Sequence, residues 1–371
     1  RLPDVEKQEM LDLPMLLLTL LLTALGLVMI YSSSFARALY ESGDSAYYFK
    51  RQGIFALVGT AAMLAISRVR PELIRKMAFP VLGVSILFLI LVFVPGIGRA
   101  ENGATRWVSL GISFQPSEVA KLGVILSFAA MITRFGENME TFRWGIAPFV
   151  GILAVIVVLL RLEPHNSAIV IIACTAGAML FLGGVKYRWF VLGGCAMLLG
   201  LILILGAGGY EASRITAWQD PFSDPTDDGY QIIQFLYAIG SGGLFGLGFG
   251  QGRQKYLYLP EEHNDYIFSI ACEELGLTGA AAILLLYALL ILRGYWISMH
   301  IRDRFLSLTV AGITTLTALQ VFFNIGVVTN LLPSTGISLP FFSYGGTALL
   351  IQLGEMGIIL GASRQCSAGF L

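Results

Sequence analysis

Residues 259–276, LPEEHNDYIFSIACEELG, place five carboxylates and a histidine at the start of a run that otherwise reads as a membrane-spanning helix. An ionisable side chain facing lipid costs about 2.5–3.5 kcal/mol on insertion scales, so acids at this depth line a polar cavity and act there. Asp265 is the leading candidate. Glu261 and Glu262 suit the first turn of a helix, where the dipole and headgroup water accommodate negative charge. Helical spacing puts Asp265, Ser269 and Cys272 on one face, with Glu273 and Glu274 two turns or more deeper. Two adjacent acids at that depth need donors, cations or protonation, and a structural network is their expected role.

A second cluster is ATRWVSLGISFQPSEVAK, residues 104–121. Arg106 and Trp107 suit an interface, Pro116 a helix start and Ser117 a cap. Glu118 and Lys121 lie three apart on one helical face. Paired with each other, both become cheaper to bury; alternatively Lys121 and Arg106 present positive charge to a phosphate while Glu118 positions Lys121. A third cluster is NIGVVTNLLPSTGISLPFFSYGGTALL, residues 324–350, where Pro333, Gly336, Pro340, Gly345 and Gly346 break helical continuity. Turn chemistry accounts for most of these residues. Ser343 and Tyr344 add hydroxyls. A fourth stretch follows Arg214: ITAWQDPFSDPTDDGYQIIQFLYAIGSGGLFG, with Trp218, Asp220 and Pro221. These pieces would together wall one cavity.

The elements that must hold them are membrane helices. Hydrophobic residues make up 56% of the 371-residue chain and charged ones 13%, and the mean hydropathy is +0.76. About 20 apolar residues cross about 30 Å of hydrocarbon, and such runs give ten candidate spans, about 13–33, 52–67, 77–96, 117–133, 146–162, 166–184, 190–208, 266–292, 305–331 and 346–362. The expected class is an all-α polytopic integral membrane protein, one domain over residues 1–371, with a large external loop at 209–265 and re-entrant pieces. QIIQFLYAIGSGGLFGLGFG is too apolar for a solvated loop and too rich in glycine for a stable span, so it is expected to be re-entrant or interfacial.

Arg68, Arg70, Arg75, Lys76, Arg134, Arg143, Lys186, Arg188, Arg293, Arg302 and Arg304 fall in loops on one side, which the positive-inside rule makes cytoplasmic. Both termini are expected there. The first apolar run is longer than a signal core and has an acidic flank, so it reads as a retained helix; the chain starts at Arg1, so a short native N-terminus is expected to precede it. A net charge of zero gives no argument for nucleic acid. Cys174, Cys195, Cys272 and Cys366 are too scattered for a disulfide framework or a metal-type pair. No internal repeat or inverted half is visible.

Taken in order, GATRWVSLGISFQPSE, DPTDDGYQIIQFLYAIGSGGLFGLGFG, LPEEHNDYIFSIACEELG and NIGVVTNLLPSTGISLPFFSYGG resemble the SEDS family (shape, elongation, division and sporulation), with its RodA, FtsW and SpoVE branches. The resemblance covers nearly the whole chain. It implies ten membrane helices in the bacterial cytoplasmic (inner) membrane and a peptidoglycan glycosyltransferase polymerising lipid II. It also implies work on undecaprenyl-pyrophosphate-linked glycan beside a class B penicillin-binding protein, with the essential acid falling on Asp265. Arg106, Glu118, Lys121, Gln115, Arg214, His263 and Ser343 become the candidates for substrate binding. A divalent cation, Mg2+ or Mn2+, is a candidate cofactor; no organic one is implied.

Some positions depart from the family's pattern. His-Thr-Asp-Phe reads His263-Asn264-Asp265-Tyr266, Gln-Ser reads Gln234-Phe235, and Pro-Asp-Leu-Gly-Thr reads Pro164-His165-Asn166-Ser167-Ala168, so no function is carried to that last loop. His165 reads as an interfacial hydrogen-bonding residue. A lysine often seen in the FtsW branch near Pro333–Gly336 is absent, which weakens that branch assignment. The competing class is a flippase for lipid-linked precursor. A transporter should carry polar residues to the midplane and both faces, whereas these clusters lie toward the outer face. A noncatalytic scaffold gives no reason for Asp265.

Overall fold

A computed structural model describes residues 11–101, 104–109, 111, 113–194, 210–223, 225, 229–255 and 264–366. Its frame consists of α1 (Leu13–Ser42), α2 (Tyr47–Ile66), α3 (Pro71–Leu91), α4 (Pro116–Phe135), α5 (Ala147–Leu162), α6 (Asn166–Leu182), α7 (Tyr210–Gln219), α8 (Tyr230–Gly242), α9 (Ile267–His300), α10 (Arg304–Val328) and α11 (Gly346–Ser363). Among the described residues, eight helices are long and apolar enough to cross a membrane, and α6 is a shorter apolar helix. Nine of the ten expected spans thus coincide with helices. Of the other, 190–208, residues 190–194 are helical and the rest lie outside the described residues.

Helix ends follow local chemistry. Asp12 caps α1, its Oδ1 accepting from the Met15 N–H at 2.9 Å, and Pro14 stands in the first turn. The same carboxylate accepts from Arg293 Nη2 at 2.7 Å, which ties α1 to α9. Asp303 caps α10 through the Phe305 N–H at 2.8 Å and also takes Arg75 of α3 at 2.9 Å. α4 starts otherwise than expected: Gln115 occupies the cap position, no side chain caps the helix, and the buried Ser117 hydroxyl has no hydrogen-bond partner. Pro116 fixes the first turn instead, since its missing N–H needs no cap.

Two features were not anticipated from sequence. The first is an antiparallel sheet of β1 (Gly98–Glu101), β2 (Ala104–Ser109) and β3 (Ser113–Phe114), in the order β1-β2-β3. Val108 is buried and the Phe114 ring meets Phe88 of α3 edge-on at 4.8 Å, so the sheet's apolar side chains seat it on the bundle. The second is a break in α9 at Gly276, whose φ of 67° and ψ of −169° interrupt the expected continuous span. Glycine reaches this region without a Cβ penalty. There the turns after α8 pair with the break: the Leu247 N–H donates to Glu273 O at 2.9 Å and the Leu277 N–H to Gly243 O at 2.9 Å. A Cβ on Gly246 would lie 2.1 Å from Glu274 O, so only glycine permits that approach. The sequence QIIQFLYAIGSGG therefore becomes a short helix followed by turns held against α9.

The loop between α10 and α11 is fixed just as firmly. The buried Gln52 amide donates to Ser343 O at 3.3 Å and accepts from the Gly345 N–H at 3.2 Å, while Gln352 accepts from the Phe341 N–H at 3.0 Å. The Tyr287 hydroxyl donates to Pro340 O. Gly26 of α1 lets this loop approach: a Cβ there would stand 2.2 Å from Phe341 O.

Candidate active site

At the end of the bundle bearing the sheet, a cavity of about 580 Å³ opens among α2, β2, α4, the α5–α6 turn, the start of α9 and the loop before α11. That volume falls in the range of about 300–1,000 Å³ usual for small-molecule sites. Asp265 lines it just ahead of α9. Asn324 of α10 donates from Nδ2 to Asp265 O at 2.8 Å and to Ile337 O at 2.7 Å, stapling the acid's backbone to the opposing loop. Tyr266 stacks on Phe235 of α8, with centroids 5.3 Å apart, and its hydroxyl meets Ser334 Oγ at 3.1 Å. A Cβ on Gly336 would lie 3.0 Å from Asp265 Oδ2, so the glycine leaves the carboxylate room.

The same cavity is lined by cations. Lys121 Nζ is 2.7 Å from Glu118 Oε1 and the two residues are 6% and 8% exposed, so the expected pair exists and is nearly dry. Both line the cavity with Gln115, as does Arg106 from β2, whose Nη2 donates to Pro164 O at 2.5 Å. The geometry therefore unites Asp265, Arg106, Gln115, Glu118 and Lys121 on one cavity. Ser343 does not line it. Its Oγ accepts from the Leu339 N–H at 2.7 Å and closes a turn, which leaves Ser338 and Tyr344 as the hydroxyl-bearing residues of that loop on the cavity. His263 lies outside the described residues, and for Arg214 the described structure gives only its place in α7.

Sequence reading missed the α2 wall: Tyr47, Tyr48 and Arg51 line the cavity, with Arg51 Nη1 donating to the Tyr47 hydroxyl at 3.1 Å and the Tyr48 and Tyr344 rings edge-on at 5.0 Å. The available signal was a Tyr-Tyr-x-x-Arg cluster at the mouth of an apolar run. Arg99, from β1, also lines the cavity. Among the described residues no three of His, Cys, Asp and Glu are grouped to hold a metal ion. Cys174, Cys272 and Cys366 are free thiols.

His165 and Glu163 sit behind the cationic wall. His165 lines the cavity, and its Nε2 lies 3.5 Å from Gln115 Nε2, in keeping with a hydrogen-bonding role. Burial, followed by the charges of Arg106 and Lys121, pushes its pKa down to about 3. Burial raises Glu163 to about 8, offset in part by Arg106. An unfolded chain ionises Glu163 above pH 4.5 but the fold does so only above about 8, so this residue makes stability fall as pH rises between those values. His165 acts in the opposite sense, costing stability as pH drops from 6.5 toward 3. Of these two residues, only Glu163 titrates above pH 6.5. Thermal unfolding in detergent is expected to show a midpoint that declines from pH 6.5 to 8, and Glu163→Gln is expected to make that decline shallower; an equal decline in the variant would remove Glu163 as a cause.

The fold and cavity define a polytopic membrane protein with an acid and several cations lining one cavity at one end of its bundle. The family model described as cell cycle protein (FtsW, RodA, SpoVE) matches residues 12–368, and the chain belongs to that family. It is 40% identical to stage V sporulation protein E of Bacillus subtilis over 354 residues, covering 95% of this chain and 97% of that one. It is also 40% identical to the probable peptidoglycan glycosyltransferase FtsW of Geobacter metallireducens over 364 residues, covering 98% and 97%. Among solved structures, a chain from work titled "Structural coordination of polymerization and crosslinking by a peptidoglycan synthase complex" aligns at TM-score 0.81 and 27% identity, covering 97% and 99%. The rod shape determining protein RodA of Thermus thermophilus aligns at TM-score 0.70 and 27% identity, covering 97% and 98%.

Proposed function

We propose that this protein is a peptidoglycan glycosyltransferase that polymerises lipid II into glycan strands at the outer face of the bacterial cytoplasmic membrane. The observation that carries the reading is that the Asp265 carboxylate shares one cavity with Arg106 and the Glu118–Lys121 pair. Its relatives named as FtsW support the same activity.

Forming a β-1,4 bond from an α-linked lipid pyrophosphate inverts the anomeric carbon, so one displacement with one general base suffices. Asp265 accepts the proton of the incoming sugar's 4-hydroxyl. The hydroxyl oxygen bonds to the anomeric carbon of the growing strand, and the bond to undecaprenyl pyrophosphate breaks with its electron pair on the leaving group. Arg106 and Lys121 stabilise that charge, and Arg51 and Arg99 add to the same field. A divalent cation, Mg2+ or Mn2+, would add positive charge at the pyrophosphate. Lipid tails lie in grooves between helices.

The partner is a class B penicillin-binding protein that crosslinks the product, a reading supported by the likeness to a chain of a peptidoglycan synthase complex. Purified protein given purified lipid II, with and without a candidate partner, should yield glycan strands; absence of strands in both conditions would refute the activity. Both termini lie in the cytoplasm on the Lys/Arg bias. A reporter fused in 215–230 should be exported and one fused in 135–142 retained; both on the same side would overturn the assignment of the spans between them.

A further inference from the structure

Lys255 and Glu274 form an ion pair away from both the cavity and the solvent, with Nζ 2.7 Å from Oε1 and side chains 2% and 0% exposed. A buried pair persists only when its remaining hydrogen-bonding positions are filled. Ser32 of α1 fills one, its Oγ lying 2.8 and 2.6 Å from the two Glu274 oxygens, with Lys255 Nζ 3.3 Å away. The Gly250 N–H donates to Glu274 Oε2 at 3.0 Å, and the Arg253 N–H to Glu273 Oε1 at 2.8 Å. The loop after α8 and the middle of α1 therefore close on two carboxylates that occupy the last turn before Gly276.

Those carboxylates stand at one end of a short half-helix, residues 267–275, and Asp265 stands just beyond the other end. Gly276 separates the half-helix from the long remainder of α9, so its direction is set by contacts rather than by helical continuity. Asn324 holds the Asp265 corner through the backbone carbonyl, and Tyr266 adds its stack on Phe235 and its bond to Ser334. At about 1.5 Å per residue the half-helix is roughly 13 Å long, so a pivot of about 10° at the Glu274 end moves Asp265 by about 2 Å. Productive geometry tolerates about 0.5 Å. An ion pair with directed donors resists such a pivot, whereas apolar packing fills the same space without fixing a direction.

We infer that Lys255, Glu274 and Ser32 form a positioning clamp for Asp265, acting through the half-helix that Gly276 sets apart. The inference rests on the proposed role of Asp265 as general base, and its test separates the two. Lys255→Met and Glu274→Gln each leave a buried group unpaired and should lower the unfolding temperature. The double variant K255M/E274M removes both charges with side chains of similar length, so the stability lost to a stranded charge should return, though not that lost with the acceptor of Ser32 and the Gly250 N–H, while the clamp stays broken. Its kcat for lipid II polymerisation should remain at least about 10-fold down, since a misplacement of about 1 Å costs up to about 10²-fold. Its KM should stay within about twofold, because Arg106, Gln115 and Lys121 are untouched.

Amide exchange of residues 264–270 should quicken in the double variant while residues 284–300 keep their protection, a readout that needs no activity. A double variant with wild-type kcat, or with unchanged exchange at 264–270, overturns the clamp and leaves the role of Asp265 standing. Wild-type protein without polymerase activity overturns the catalytic reading, and the exchange data then decide the clamp alone. Ser32→Ala, which breaks the clamp without stranding a charge, covers a double variant that fails to fold: it should lower kcat about 3-fold with KM unchanged, and an equal rise in KM would overturn positioning.

Discussion

Asp265→Asn protein is expected to fold, to bind lipid II and to form glycan strands about 10²–10⁴-fold more slowly than the parent chain, the range over which a positioned general base acts. The substitution keeps nearly the same volume, and the contacts fixing this corner survive it: Asn324 reaches the backbone carbonyl of residue 265, not its side chain, and Tyr266 keeps its ring stack on Phe235 and its bond to Ser334. What disappears is the proton acceptor. Asp265→Glu is expected to fail as well. Gly336 of the opposing loop faces the carboxylate so closely that a Cβ there would sit 3.0 Å from Oδ2, so an added methylene must push the carboxylate elsewhere. Strand formation and binding of purified lipid II are the two measurements. Near-wild-type polymerisation by folded Asp265→Asn protein sinks the catalytic assignment, and loss of lipid flipping independent of polymerisation would favour the transporter reading.

Much of the fold was legible because hydrocarbon imposes a simple rule: long apolar runs become helices, and nine such runs did. The acids were legible for the same reason, since charge at that depth needs an account. Glu273 and Glu274 were read as a structural network, and their partners proved to be backbone N–H groups of residues 250–254, Ser32 and Lys255. The partners themselves were not readable. Ser32 is 223 residues from Lys255, and nothing local in either stretch announces the other. The break at Gly276 escaped because glycine is tolerated within membrane helices and the apolar pattern runs through it. The sheet at 98–114 escaped because its strands are short and their alternation is carried by few residues. Arg51 escaped because a cation at the mouth of an apolar run ordinarily reads as an interfacial anchor; its place on the cavity depends on how α2 packs against α11, which periodicity does not encode.

The Glu118–Lys121 pair offers the other large effect, and it separates substrate binding from bundle support. Lys121→Ala is expected to lower polymerisation by about 10²-fold, the usual loss when one donor stabilising transition-state charge is removed. Glu118→Ala should impair it too, because the carboxylate holds Lys121 Nζ at 2.7 Å and an untethered lysine no longer presents its charge from one place. In the double variant no stranded charge remains and neither partner has anything left to position, so its activity should be no lower than that of the poorer single variant. Losses that simply multiply would show two independent roles. Stability supplies the control. Removing one member of a dry ion pair costs about 3–5 kcal/mol when water cannot reach the survivor, but both residues border the cavity and the survivor can be rehydrated there. Each single variant is therefore expected to remain folded in detergent with its activity lost. Unfolding of both singles, with recovery of stability and of polymerisation in the double, would assign the pair to holding the bundle and leave Arg106, Arg51 and Arg99 as the cations that meet the pyrophosphate.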